Sequence, residues 1–354
     1  MKKNMQLGII GLPMVGKTTI YELLTGNKEG KLTAGKTNTA MARIPDARVD
    51  FLSSLFNPRR TTYAQLEVVD IPGLVPGEGK SASVFLDAVR KADALLHVVR
   101  AFEDEINGEI NPLGDFETLN YELLLADLDL IEKRIERINA NKKKNQMLKE
   151  LALLEKLKKA LEEEKPLSSV ELDEEETAII QNYQFLTTKP MLVCLNVDEK
   201  VLSGSDYKDR EKIISLLNHK HIPVVEVSAH LEKEISELSE EEKEIFMQEM
   251  GLTEPGIVKI ARSMYARLGL ISFFTVGEDE VKAWTIEKGT TAKKAAGKIH
   301  SDIERGFIRA EVIDYQALYE LKSIAAVKEK GLFRLEGKDY IVKDGDIIHF
   351  RFNV

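Results

Sequence analysis

Residues 11–18 read Gly-Leu-Pro-Met-Val-Gly-Lys-Thr, the pattern G-x-x-x-x-G-K-S/T of a loop that cradles phosphates. Glycines at 11 and 16 let backbone N–H groups turn inward around an anion, and the positive end of a following helix adds to them. Lys17 is placed to reach β and γ phosphates, and the Thr18 hydroxyl to ligate magnesium. A β-rich run at 7–10 precedes the loop and a helical pattern at 19–24 follows it, the order this chemistry needs. Met14, Val15, Gly16, Lys17, Thr18 and Thr19 are therefore the expected loop contacts of a nucleoside triphosphate.

Val68-Val69-Asp70-Ile71-Pro72-Gly73 sets an aspartate at the end of an apolar run and a glycine three residues on. At this distance after a phosphate loop, Asp70 is expected in the magnesium shell, and the Gly73 N–H is expected to sense the γ-phosphate. Lys17 and Gly73 are the expected catalytic groups. Asn196-Val197-Asp198-Glu199 follows another apolar run, where GTPases carry Asn-Lys-x-Asp. The aspartate of that motif accepts two hydrogen bonds from guanine. Here Glu199 is one methylene longer, and Val197 replaces the lysine whose stem covers the base. Ser228-Ala229-His230 stands where the last purine-contacting motif falls. Asn196, Val197, Glu199, Ser228 and Ala229 thus form the expected base site, and it suits adenine better than guanine. A GTP-preferring enzyme is the alternative.

Apolar runs at 7–10, 66–69, 95–99, 191–195 and 224–227, separated by helical patterns, suggest a mainly parallel sheet buried on both faces. We read residues 1–271 as a doubly wound α/β P-loop domain. Apolar residues at helical spacing, Tyr121 to Ile138 and Leu148 to Leu161, flank the polar stretch 139–145. They predict an inserted α-helical hairpin over 118–165. It either packs on its own domain or serves as an arm for a partner. Residues 272–354 read as a small β-grasp module, with strands at 272–276, 281–286, 308–313, 340–342 and 347–352 and a helical stretch at 291–304.

The 354 residues carry a net charge of −9 and one cysteine, Cys194. That balance speaks against general attraction to nucleic acid, with no DNA expected, so RNA contact would need a local basic patch. A lone cysteine excludes an internal disulfide framework and fits a reducing compartment. With no membrane-length apolar run and no signal-peptide core, a cytoplasmic protein is expected.

With these motifs in view, the chain resembles the YchF subfamily of Obg-like ATPases over nearly its whole length. The matching stretches include 11–17, Pro-Asp-Ala-Arg-Val-Asp (45–50), 70–75, His-Val-Val-Arg-Ala-Phe-Glu (97–103), Leu-Ala-Asp-Leu-Asp (125–129) and 196–199. Longer matches follow at 281–286, 306–312, 336–346 and 352–354. The resemblance implies a GTPase-like domain with a coiled-coil arm and a C-terminal TGS domain. It also implies ATP preferred over GTP and association with ribosomes or translation factors.

The chain departs from that family at three places. Met14 stands where the family usually has an asparagine that can ligate potassium, and a thioether is a poor ligand for so hard a cation. Aligning Asn38-Thr39 and Pro45-Asp46 places Ala34 where the magnesium-binding threonine of the first switch belongs, with Thr33 and Thr37 as nearby candidates. The second switch is shortened to Pro76-Gly77-Glu78-Gly79-Lys80. Leu74 occupies the position of the water-orienting glutamine of Ras-like proteins, which the family also lacks. Slow Mg²⁺-dependent hydrolysis of ATP is therefore expected, or else a nucleotide-gated binding module whose hydrolysis is vestigial. His97, inside an apolar run, reads as a core residue rather than a catalytic one, His300 and His349 as structural residues of the C-terminal module, and Trp284 as core or as a face that stacks on a base or partner. Lys293, Lys294, Lys298, Arg305 and Arg309 form either a patch beside Trp284 or a solvated helix face.

Overall fold

The computed structural model describes residues 5–27, 37–75, 79–104, 108–141 and 144–353. Thr33, Ala34 and Pro76–Glu78 of the two switches, at positions 76–78 for the latter, lie outside them. In chain order the strands are β1 (Gln6–Ile10), β2 (Asn38–Arg43), β3 (Arg60–Thr62), β4 (Gln65–Asp70), β5 (Ala94–Ala101), β6 (Met191–Val197) and β7 (Val224–Val227). They continue as β8 (Leu270–Thr275), β9 (Glu280–Glu287), β10 (Phe307–Asp314), β11 (Arg334–Glu336) and β12 (Asp346–Phe352). One sheet has the order β2-β4-β1-β5-β6-β7, the other β11-β10-β12-β8-β9-β3.

In the first sheet β1 runs parallel to β4 and β5, β5 to β6, and β6 to β7. Every residue of β5 is buried, which is why this strand reads as a continuous apolar run. Ile10, Val69, Ile71, Leu74, Phe85 and Leu95 share one core cluster of this P-loop fold, and Val99, Val193, Leu195 and Ile213 share another. Its parallel strands deliver the ends of β1, β4, β5, β6 and β7 to one edge of the sheet, where crevices form in open α/β sheets.

The hairpin is a long helix, Pro112–Asn139, and a shorter one, Leu148–Glu162. Asn111 starts the first by accepting from Gly114 N–H at 3.3 Å, with Pro112 in the first turn, where a missing N–H costs nothing. Ile131, Ile135 and Ile138 meet Leu153, Leu154, Leu157 and Leu161, joined by Leu167 and Phe185. Arg134 pairs with Glu150 across the hairpin at 2.8 Å. Asp127, wholly buried, accepts from Leu186 N–H (2.9 Å), Thr187 N–H (2.8 Å) and the Thr187 hydroxyl (2.8 Å). Three donors on one carboxylate offset its desolvation and bind the long helix to the segment leading into β6.

In the second sheet β8 and β9 form an antiparallel pair, β10 and β12 another, and β12 lies parallel to β8. The helix Ala292–Ile299 packs through small side chains, Ala292, Ala295 and Ala296, against Phe273, Val312 and Ile348. The helical stretch expected at 291–304 is two helices, because His300 is extended (φ −159°, ψ 145°) and its Nδ1 accepts from Asp302 N–H to start Ser301–Arg305. The strand expected at 340–342 is instead a single bridge between Ile341 and Thr291. Beside it Ala292 N–H donates to the Tyr340 carbonyl and Val342 N–H to the Thr290 carbonyl, where the helix begins, and the pairing goes no further as a strand.

By contacts the chain divides into residues 1–40 with 67–260, and 41–66 with 261–354. A boundary at 271/272 leaves 41–66 in the first domain, whereas these residues pack with the C-terminal ones. β3 adds in parallel to β9, with Arg60 opposite Glu280 and Thr62 opposite Lys282. Phe51 meets Tyr315 and Tyr319, and Arg48 bridges Asp46 and Asp344, each at 2.8 Å. Such cross-chain pairing leaves little local periodicity for a sequence reading to use.

Candidate nucleotide site

The loop after β1 is shaped by two glycines that no other residue could replace. Gly11 has φ +154°, and a Cβ there would come within 2.4 Å of the Val98 carbonyl oxygen. Gly16 has φ +93°, and its Cβ would meet Asn196 Nδ2 at 2.4 Å. Gly16 then begins the helix Lys17–Thr25 with no side-chain cap, so the first N–H groups of that helix are left for an anion. Lys17 is buried; its Nζ donates to the Leu12 carbonyl at 2.6 Å, across the turn of the loop. Burial lowers its pKa to about 8, against the raising effect of Asp70.

Thr18 Oγ1 donates to Asp70 Oδ2 at 3.1 Å, bringing the two expected magnesium ligands together. Burial raises the Asp70 pKa, while the Thr18 hydrogen bond and the Lys17 charge lower it. An oxygen-only donor pair beside an uncapped helix start and an ammonium fits Mg²⁺ with a polyphosphate. Gly73 lies against this group, since a Cβ on it would sit 3.0 Å from Lys17 Nζ. Leu74 N–H donates to the Gly11 carbonyl at 3.3 Å, but its side chain is 1% exposed and belongs to the core. No polar group at position 74 faces the cradle.

Beyond the loop lies a cleft of about 960 Å³, reaching from Met14 and Lys17 to Glu199, His230 and Lys233. Gly16, Thr18, Thr19, Asn196, Val197, Ser228 and Ala229 also line it. Val15 does not, because its side chain turns into the core at 2% exposure, leaving only its backbone for a ligand. Asn196 is buried and committed on both sides: Nδ2 donates to the Val15 carbonyl at 3.0 Å and Oδ1 accepts from Ala229 N–H at 2.9 Å. It therefore fastens the phosphate loop to the ends of β6 and β7. Ser228 Oγ accepts from Leu231 N–H, starting the helix Ala229–Glu237. Glu199 Oε1 lies 2.7 Å from His230 Nδ1 at the rim.

Phe102, Asp104 and Lys233 line the cleft too and were not singled out from sequence. Phe102 was visible only as part of the stretch 97–103. Buried Arg100 positions this loop by donating to the Gly108 (3.3 Å) and Glu109 (3.0 Å) carbonyls. His97 is buried, stacks on Phe116 at 5.5 Å, and is held near pKa 3 by burial and by the Lys17 charge. It is a core residue, in keeping with its apolar run. Thr37 is exposed at the edge of the described residues.

In the C-terminal unit, half-buried Trp284 donates to Thr275 Oγ1 at 2.9 Å under Lys282 Nζ. His349 is exposed, as are Lys293, Lys294, Lys298, Arg305 and Arg309. Arg305 pairs with Asp302.

A family profile described as "50S ribosome-binding GTPase" matches residues 6–127, and the YchF GTPase C-terminal profile, described as a protein of unknown function, matches 270–353. "Ribosome-binding ATPase YchF" of Bacillus subtilis is 42% identical, the match covering 98% of this chain and 99% of that protein. The protein of the same name from Haemophilus ducreyi is 44% identical over the same shares. The solved structure of the Schizosaccharomyces pombe YchF GTPase superposes with a TM-score of 0.88 at 31% identity, covering 99% of this chain and 98% of that one.

Proposed function

The chain belongs to the YchF family, and from that premise we propose a slow, Mg²⁺-dependent ATPase that prefers ATP to GTP and acts as a switch on ribosomes in the cytoplasm. The observation that carries the catalytic part is the cradle itself, with Lys17 Nζ inside the loop and Thr18 bonded to Asp70. Thr18 and Asp70 would hold magnesium, which would offset the charge of the β and γ phosphates. Lys17 and the N–H groups of Met14, Val15, Gly16, Thr18 and Thr19 hold the phosphates and stabilise charge developing on the β–γ bridge. Gly73 N–H contacts the γ-phosphate. Asn196, Val197, Glu199, Ser228 and Ala229 form the base end, with Asn196 acting through the backbone it fastens.

The slow rate follows from the buried Leu74, which cannot orient water. Unassisted Ras-like turnover is roughly 10⁻⁴ s⁻¹, and a missing activating group is worth about 10³–10⁵-fold. The same burial favours a second reading, a nucleotide-gated binding module that leaves ATP intact. Single-turnover hydrolysis with Lys17→Ala as control separates the two. Measurable cleavage that the variant lacks supports the ATPase, and intact ATP after hours supports the module. ATP and GTP titrations, with and without ribosomes, test the remainder. Equal affinity for the two nucleotides, or no ribosome co-sedimentation in any nucleotide state, would refute the corresponding part.

A further inference from the structure

Asp198 stands at the start of the short helix Glu199–Leu202, where an aspartate ordinarily accepts from the N–H groups of its own first turn. Its side chain makes no such cap. The carboxylate turns instead to the chain leaving the neighbouring strand, and Oδ2 accepts from Glu103 N–H at 3.1 Å. Register explains the meeting. β5 and β6 run parallel with Ala101 opposite Val197, the last pair of their ladder, so the residues just past both strand ends lie side by side. Lys200 adds a looser link to the same residue, its Nζ 3.9 Å from the Glu103 carboxylate.

The bond joins two pieces of the cleft wall. Phe102, next to the bonded amide, and Asp104 line the cleft from the β5 side, and Asn196, Val197 and Glu199 line it from the β6 side. Asn196 fastens the end of β6 to the phosphate loop and to Ala229, and neither of those bonds reaches residues 102–104. Arg100 holds the carbonyls of Gly108 and Glu109, further along the chain. The Asp198 bond acts one residue from Phe102. We propose that Asp198 is a positioning residue of the nucleotide site: it forgoes its own helix cap to hold Glu103 N–H, and so keeps Phe102 in place at the base end of the cleft. The proposal rests on the reading of this cleft as the nucleotide site. A wall fixed before the ligand arrives need not be ordered on binding, so its loosening shows as lost affinity for a ligand that carries a base.

The test titrates the full chain and its variants with a non-hydrolysable ATP analogue and with inorganic tripolyphosphate, both with Mg²⁺. Tripolyphosphate engages the cradle alone, so it also reports whether each variant folds. Asp198→Ala should weaken the ATP analogue about 3–10-fold, the worth of one hydrogen bond, and leave tripolyphosphate unchanged. Asp198→Asn keeps a side-chain oxygen that accepts from Glu103 N–H, and should bind both ligands as the wild type does. On a Phe102→Ala background, Asp198→Ala should cost nothing further, because the side chain it keeps in place is gone. An Asp198→Ala variant that binds the ATP analogue normally, or weakens both ligands equally, would overturn this role. So would an Asp198→Asn variant as weak as Asp198→Ala, or losses that simply add in the double variant; each leaves the nucleotide site itself standing. A wild type that fails to bind the ATP analogue would remove the parent reading and this one with it.

Discussion

At position 14 the backbone turns to φ +61°, in the left-handed region, with the methionine side chain 63% exposed at the cleft. Asparagine visits that region readily and a long unbranched side chain does not. Met14→Asn is thus expected to relieve about 1 kcal/mol of backbone strain, read as a higher denaturant midpoint. It also restores a hard amide oxygen beside the phosphates. Replacing sodium by potassium should leave the wild-type hydrolysis rate unchanged and raise that of the variant; a several-fold rise in the wild type would contradict this. Three residues on, Lys17 titrates near pH 8 because burial opposes its charge, whereas an ordinary lysine holds its proton to 10.5. Phosphates bind the ammonium, so ATP affinity should be level below about pH 8. It should then fall by up to about tenfold per unit as the free site loses that proton. Titrations from pH 7 to 9.5 read this directly, and Lys17→Ala should flatten the profile.

At the scale of elements, the two-helix arm is the piece with its own apolar seam. Leu154 is fully buried between the helices, so Leu154→Ala should cost about 2–5 kcal/mol of arm stability. The loss should appear as faster amide exchange within Pro112–Asn139 and Leu148–Glu162, with nucleotide affinity kept, since neither helix lines the cleft. That arm was plain in the sequence because its seam repeats at helical spacing, and the phosphate loop because positive φ and close backbone approach admit only glycine at 11 and 16. Lys17, Asn196 and Ser228 line one cleft because the loops that carry them follow strands of one parallel sheet. What sequence could not reveal are partnerships between distant residues of ordinary type. Glu199 and His230 lie 31 apart, and Asp127 and Leu186 59 apart, and neither pair has a local signature. Asn196 was expected to face the base, and the structure shows both ends of its amide spent on holding the site together.

At the scale of the whole molecule, the segment 41–66 gives the C-terminal unit an edge strand, β3, and the helix Ala47–Phe56. A fragment spanning 261–354 therefore lacks part of its own sheet. Exchange measurements should find the β9 amides poorly protected in that fragment, and protection should return when residues 41–66 are joined to it by a flexible linker. Unchanged protection would mean that β3 adds nothing to that sheet's stability. Arg48 and Asp344, 296 positions apart, show how far the chain must travel to complete this unit. During synthesis, β3 and Phe51 leave the ribosome early, while β9 and Tyr315 follow more than two hundred residues later. At about 5–20 residues per second that gap is roughly 10–40 s. For that interval the nascent chain carries an unpaired strand edge and an uncovered aromatic ring, so this unit can close only once β9 and Tyr315 have been made.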